Sequence, residues 1–154
     1  MSTLQTLCLD GLRVWHAFPG VKEKGPLPCF VFYRGCTSSA LVYSYFAVAL
    51  AQAGFRVIMP DAPDHGARFS GDAPGRLRHF WHILRQSQEE FASLRAAPLA
   101  QGWIAEGRLA VAGASMGGMT ALGIMARHPH VRSVDSPVGS GYFSTPSGTP
   151  CPPP

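Results

Sequence analysis

The sequence predicts an α/β fold, a doubly wound and mostly parallel sheet with an N-terminal antiparallel hairpin. Short apolar runs alternate with longer segments in which apolar residues recur at helical spacing, as in βαβ units with right-handed crossovers. In addition, two β-prone runs, Leu4 to Leu9 and Leu12 to Phe18, flank Asp10-Gly11, a dipeptide that favours a tight hairpin turn. The predicted order is therefore a hairpin followed by β-α-β-α-β-α-β.

Composition limits the kind of protein this is. The chain has 154 residues, 46% hydrophobic and 14% charged, which indicates one folded domain with a sizeable core. The net charge is +4, but the basic residues are scattered from Arg13 to Arg132, so we expect no nucleic-acid partner. The first ten residues lack the features of a signal peptide, and residues 43–55 are too short and amphipathic to span a bilayer. We expect a cytoplasmic protein with no membrane partner.

The cysteines and the known motifs favour no metal and no cofactor. No two cysteines have CxxC or metal-ligand spacing, and GxxxxGK and HExxH do not occur. We therefore expect free thiols in a reducing compartment at Cys8, Cys29, Cys36 and Cys151.

Two strands and two helices follow the hairpin. Cys29 to Tyr33 is a continuous apolar run, typical of a buried strand, and a small-residue loop follows at 34–39. Arg56 to Pro60 predicts the next strand, followed by a turn-rich loop at 61–68. Helical spacing predicts one helix that ends before Gly54, with apolar positions at Val42, Tyr45, Phe46, Ala49, Leu50 and Ala53. It also predicts a long amphipathic helix that ends near Pro98, with apolar positions at Leu77, Phe80, Trp81, Leu84, Phe91 and Leu94.

A Gly-x-Ser-x-Gly motif at 113–117 connects a strand predicted at 108–112 to a helix predicted from Met116 to Arg127 and buried on nearly all sides. This context is that of a nucleophile elbow. The flanking glycines would allow a strained serine conformation that exposes the Ser115 hydroxyl and directs the Met116 amide at a developing oxyanion. The alternative is a glycine-rich turn in which Ser115 is an ordinary helix N-cap.

Loops that follow parallel strands meet at the carboxyl edge of a sheet, so residues 34–39, 61–68 and 113–117 should converge there. Val131 to Gly139 begins another predicted strand, although Asp135 and Pro137 fit a central strand poorly. We expect a domain over residues 1–143 and a disordered Pro/Ser/Gly-rich tail over residues 144–154.

Together these segments resemble the α/β-hydrolase superfamily, and within it the bacterial YjfP-type carboxylesterases of the dienelactone-hydrolase and acylaminoacyl-peptidase-like branch. The resemblance extends to about Phe143. The segments that carry it are VYSYFAVAL at 42–50, GFRVIMPD at 54–61, PDHGAR at 63–68, GASMGGMT at 113–120 and GSGYF at 139–143.

The resemblance implies a serine esterase that acts on small acyl esters, with the α/β-hydrolase fold. Ser115 would be the nucleophile, and the backbone N–H groups of Cys36 and Met116 would form the oxyanion hole. The triad acid and His follow the serine in this fold, on strands later than those the sequence can build. We therefore expect a C-terminally truncated hydrolase, with later strands missing, that is weak or inactive. Arg34-Gly35 also replaces the usual His-Gly, and a bulky cation there could shift the loop.

Local residues offer few substitutes for the triad. His128 and His130 lie one helix length from Ser115, roughly 20 Å away at ~1.5 Å per residue. Asp135 lies too early in its strand to orient a catalytic His, and Cys36 has no obvious partner that would make it a nucleophile. His65 is the local His with plausible reach, although a structural histidine that bonds its own loop is favoured. Three other histidines are predicted to be surface or helix-face residues: His16, His79 and His82.

Two other functions stay open. One is a non-catalytic hydrolase fragment or interaction module, whose exposed sheet edge could allow self-association. The other is a serine peptidase of the prolyl-oligopeptidase-like group, which shares the elbow, although no amine-binding pocket is visible in the sequence.

Overall fold

The computed structural model describes residues 2–20, 25–36, 40–129, 131 and 134–138. A 3-10 turn covers Gly66–Arg68. The described strands and α-helices, in chain order, are β1 (Thr3–Leu9), β2 (Leu12–Phe18), β3 (Leu27–Tyr33), α1 (Ala40–Gln52), β4 (Arg56–Pro60), α2 (Ala73–Arg78), α3 (Phe80–Ala100), β5 (Ile104–Ala114), α4 (Met116–Arg127) and β6 (Val134–Val138).

The hairpin forms where the sequence predicts it. Asp10 and Gly11 both have positive φ, 49° and 79°, which is the requirement of a type I′ turn. Leu9 consequently pairs with Leu12 in the antiparallel β1–β2 ladder. The other edge of β2 pairs antiparallel with β4, so the hairpin is continuous with the main sheet.

The sheet has the order β1-β2-β4-β3-β5-β6. The pairs β3–β4, β3–β5 and β5–β6 are parallel, as predicted for a doubly wound α/β fold. Alternate residues of β4 pack into different cores. Val57 and Met59 pack with Ala47 of α1, whereas Ile58 packs with Phe91 of α3. Because successive side chains of a strand point to opposite faces, helices cover both faces of the sheet.

Several predicted bounds are wrong. The long helix expected to include Leu77 and to end near Pro98 is two helices, α2 and α3, with a break at His79. Asp72 caps α2 by accepting the Gly75 amide at 2.9 Å. Helix α3 continues past Pro98 because a proline removes only its own N–H, and the later Gln101 amide still reaches the Ala97 carbonyl.

Strand β5 is longer than the predicted 108–112, and β6 begins at Val134 instead of Val131. The expected tail at 144–154 lies outside the described residues, as does segment 139–143. Among the helices of the described ranges, none combines the length and apolarity needed to cross a membrane.

Candidate active site

Ser115 occupies the turn between β5 and α4 in a strained conformation. Its φ is 55° and its ψ is −118°, a region that non-glycine residues rarely adopt. The Ser115 carbonyl accepts the Met119 amide at 3.1 Å, so the helix begins directly at the serine. The Ser115 side chain makes no N-cap hydrogen bond. The geometry therefore corresponds to the elbow and not to the alternative of an ordinary N-cap.

The glycines on either side of the elbow are needed for close backbone packing. A Cβ at Gly113 would overlap the Gly117 peptide and lie 2.7 Å from the Gly118 nitrogen. A Cβ at Gly117 would overlap the Tyr33 carbonyl at the end of β3. Glycine at 117 therefore lets the elbow lie directly against the segment that follows β3.

The three predicted loops converge as far as the structure describes them. A Cβ placed on Gly35 would lie 3.6 Å from the Ser115 Cβ, so the β3–α1 loop passes beside the nucleophile position. The same point lies 3.6 Å from the Tyr43 hydroxyl of α1. Residues 37–39 of this loop lie outside the described residues. Loop 61–68 joins the group through Asp61, which forms an ion pair with Arg34.

An apolar cluster forms one wall beside the elbow. Cys36 and Ala62, from two of the converging loops, pack at its edge. The cluster therefore brings together the two residues whose backbone N–H groups are the expected oxyanion donors, Cys36 and Met116. Its buried members are Phe80, Ile83, Leu84, Met116 and Met119.

The Arg34 side chain is buried, and the effect of a cation at this position on the loop stays a prediction. Arg34 is 6% exposed and pairs with Asp61, which is 4% exposed. Burial lowers the pKa of the Arg34 guanidinium below its usual value, and Tyr43 opposes that shift. Sequence reasoning missed Asp61, although its position directly after a buried strand is where polar residues of functional loops gather.

His65 is buried, 3% exposed, and its Nδ1 donates to the Pro63 carbonyl at 2.9 Å. This contact agrees with the prediction of a histidine that bonds its own loop. Burial lowers the pKa of His65, Arg76 and Arg34 lower it further, and the bond to Pro63 opposes them. His65 is therefore neutral at pH 7, with Nε2 as its unprotonated nitrogen.

The other candidates for a base or acid are placed elsewhere. His128 ends the twelve-residue α4, about 18 Å along the helix from Ser115 at ~1.5 Å per residue, and packs edge-to-face on Phe91 at 5.0 Å. Asp135 lies on β6 opposite Ala112, before the end of β5. His130 lies outside the described residues.

His79 and His82 are exposed on the α2–α3 segment, as predicted. The prediction for His16 is wrong. It is 2% exposed, stacks between Phe18 and Trp103, and contacts Arg56. A polar side chain on a strand favours a solvent-facing position, but β2 lies inside the sheet and His16 is buried there.

Within the described ranges, no group of three His, Cys, Asp or Glu side chains could hold a metal ion. The described thiols, Cys8, Cys29 and Cys36, are not in disulfides. Burial raises the pKa of Cys29 to about 12, so this thiol is unreactive at neutral pH. Cys151 lies outside the described residues.

Residues 25–141 match the Hydrolase_4 family, described as serine aminopeptidase, S33. The chain is 61% identical to esterase YjfP of Escherichia coli over 145 residues, covering 94% of this chain and 58% of that protein. The chain therefore spans little more than half the length of this relative. This similarity confirms the resemblance to YjfP-type esterases.

Solved structures show the same fold. TT1662 from Thermus thermophilus superposes with a TM-score of 0.76 at 24% identity, over 97% of this chain and 62% of that one. A dienelactone hydrolase-like promiscuous phosphotriesterase, P91 from metagenomic libraries, superposes with a TM-score of 0.70 at 16% identity, over 90% and 59%. The expected α/β-hydrolase fold is confirmed.

Proposed function

The chain belongs to the Hydrolase_4 family, and on that premise we propose that it carries the nucleophile and oxyanion hole of a serine carboxylesterase for small acyl esters. The observation that supports this proposal is the left-handed Ser115 at the β5–α4 turn with the Gly35 backbone beside it. A cytoplasmic location, no nucleic-acid or membrane partner and no cofactor are parts of the same proposal.

The Ser115 hydroxyl would attack the ester carbonyl carbon and form a tetrahedral intermediate. The oxyanion would accept hydrogen bonds from the Cys36 and Met116 amides. Collapse of the tetrahedral intermediate breaks the bond to the alcohol, which leaves with a proton. Water then releases the acyl group from Ser115. A His base and an acid would serve both steps. The match covers 58% of esterase YjfP. We propose that the His and the acid belong to a region that corresponds to the rest of that relative.

Amide hydrolysis is the second candidate, because the family description names an aminopeptidase. An aminopeptidase needs a carboxylate that holds the substrate amine. Two carboxylates of loop 61–68 are already engaged, Asp61 by Arg34 and Asp64 by the Ser70 amide at 2.7 Å. Both carboxylates of this loop therefore already have a partner, which supports the ester as the first candidate.

A fluorophosphonate probe should label Ser115 and no other residue. We expect slow labelling, since a serine hydroxyl is a weak nucleophile without an adjacent base. Intact mass and peptide mapping after treatment measure the site and the rate, with Ser115→Ala as the control. Adducts at Cys36 or at a different serine would contradict the assignment.

As 154 residues, the chain should hydrolyse p-nitrophenyl acetate poorly. An oxyanion hole without the His base leaves a rate about 10³-fold over water, far below an ordinary turnover of about 1–10³ per second. A steady-state assay of the chain and its Ser115→Ala variant measures this difference. Robust turnover that Ser115→Ala abolishes and His65→Gln also abolishes would identify His65 as a local base. Equal, negligible rates in parent and Ser115→Ala would instead support the non-catalytic alternative.

A further inference from the structure

The ion pair between Arg34 and Asp61 joins two of the loops at the site. Arg34 follows β3 directly and Asp61 follows β4 directly, and these strands are parallel neighbours. We propose that this pair holds residues 34–36, the described start of the β3–α1 loop, against the elbow, so that Arg34 is a positioning residue for the Cys36 amide. The inference rests on the proposed function, since it assigns the pair a role in that oxyanion hole.

Asp61 is itself firmly held. Its Oδ2 accepts the Ala67 amide at 3.2 Å, and its carbonyl accepts Arg68 Nη1 at 3.1 Å. Arg68 in turn binds both carboxylate oxygens of Glu90 on α3 at 2.8 Å. A Cβ at Gly66 would lie 2.5 Å from the Asp61 carboxylate, so the loop backbone packs directly on it. The carboxylate is therefore a fixed anchor for Arg34.

The backbone of residues 34 and 35 packs against the residues on either side of Ser115. A Cβ at Gly117 would lie 2.7 Å from the Arg34 carbonyl, and one at Gly35 would lie 3.4 Å from the Ala114 carbonyl. A single residue separates Arg34 from Cys36. Because this backbone packs closely against the elbow, we expect a movement of the Arg34 side chain to displace the Cys36 amide as well. An oxyanion-hole donor must lie within ~0.5 Å of its productive position to be effective.

Each charge of the buried Arg34–Asp61 pair depends on the presence of the other. Both side chains are almost completely buried, and a buried guanidinium without its carboxylate has to move toward water. The other ionisable groups near the pair are Tyr33, Tyr43, Asp64, His65, Arg68, Arg76 and Glu90. His65 is neutral at pH 7, Glu90 is already bound by Arg68, and Asp64 accepts the Ser70 amide. None of these groups supplies the negative charge that Arg34 would lose with Asp61. Removing the Asp61 charge should therefore displace Arg34 and its loop.

The test uses Asp61→Asn and Arg34→Lys with two measurements. Saturation kinetics of fluorophosphonate labelling separate the maximal rate constant from the binding constant. We expect Asp61→Asn to lower the maximal rate about tenfold with little change in binding, because an oxyanion hole acts in the transition state. Arg34→Lys keeps the charge without the planar fork and should give an intermediate rate. A role in folding alone would not produce this split between rate and binding.

The second measurement is the rate at which a thiol reagent modifies Cys36. In a Cys8→Ser, Cys151→Ser background, Cys29 is buried and unreactive, so Cys36 reports the position of the loop. We expect a several-fold change in this rate for Asp61→Asn. The matched control is Glu89→Gln, which breaks the exposed Arg85–Glu89 pair on α3 and should alter neither measurement.

Each result decides the proposal. Unchanged labelling together with unchanged Cys36 reactivity in a folded Asp61→Asn variant would overturn the proposal. If Ser115 of the parent is labelled, a change in only one of these two measurements would also overturn it. If the parent is not labelled at all, the proposed esterase function fails, and Cys36 reactivity alone decides whether the pair holds the loop. Should circular dichroism show that Asp61→Asn is unfolded, Arg34→Lys, which leaves no charge unpaired, provides the same comparison.

Discussion

Replacing Ile124 by aspartate should unfold the chain or lower its free energy of unfolding by about 4 kcal/mol or more. Ile124 is fully buried in α4 and packs in the core with Phe91 of α3 and Val111 of β5. The substitution removes an apolar side chain from that core and places a carboxylate there without a partner. Losses of this size remove much of the 5–15 kcal/mol that stabilises a typical domain.

Met125→Asp is the matched control, because it puts the same charge on the adjacent residue of the same helix. Met125 is 42% exposed, so its variant should melt close to the parent. Urea titrations followed by circular dichroism measure all three chains. Similar midpoints for Ile124→Asp and the parent would contradict the assignment of α4 as a buried helix. Met119, 5% exposed on the same helix, should behave like Ile124 when replaced by aspartate.

Acidification should destabilise the protein through His16. The His16 ring stacks on Phe18 at 4.7 Å and on Trp103 at 4.9 Å. A guanidinium can only donate hydrogen bonds, so His16 Nε2 must accept from Arg56 Nη1, at 2.7 Å. Burial, and secondly the Arg56 charge, lower the pKa of His16 to about 4. Protonation would remove the acceptor and place two cations in contact.

The direction follows from the two pKa values. The unfolded chain has the ordinary pKa of 6.5 and the folded chain about 4, so between these pH values the unfolded state binds more protons. The contribution of neutral His16 to the free energy of unfolding is therefore complete above pH 6.5 and is lost as the pH falls toward 4. At about 1.4 kcal/mol per pKa unit, the loss is about 3 kcal/mol. His65 and His128 also have lowered pKa values and act in the same direction.

Urea titrations at pH 7 and pH 4.5 of the parent, His16→Gln and His82→Gln isolate this effect. Glutamine can still accept from Arg56 but does not titrate in this range, so His16→Gln should lose less stability on acidification than the parent. His82 is exposed on α3, and its variant should follow the parent. An equal pH dependence in the parent and His16→Gln would show that His16 is not the group responsible.

The sequence by itself determined the elements whose signals are local. Asp10-Gly11 predicted the hairpin because both residues tolerate positive φ, which the turn requires at each position. Gly-x-Ser-x-Gly predicted the elbow for a similar reason, since the strained serine and the close approach of its glycines involve a few consecutive residues. Helix α4 was also predicted with its observed bounds, because a helical run follows the motif directly. The predicted burial on nearly all sides is wrong for its last turn, in which residues 125–127 are exposed.

Helix ends were less predictable. An apolar pattern at helical spacing persists through His79, so it cannot show that α2 and α3 are separate helices. Pro98 signalled an end that came two residues later, because the following amides kept their partners. In both cases the bound depends on hydrogen bonds that spacing does not reveal.

Only the tertiary structure decided which distant residues meet. β4 lies between β2 and β3, and this order brings His16 to Arg56 and Arg34 to Asp61. In the sequence each of these four residues is an isolated polar side chain whose partner lies far along the chain. Burying a charged group is costly unless its partner is in place, and that partner is supplied by strand order rather than by local pattern. For this reason the elbow could be recognised from a short motif, whereas the pair proposed to position its oxyanion hole could not.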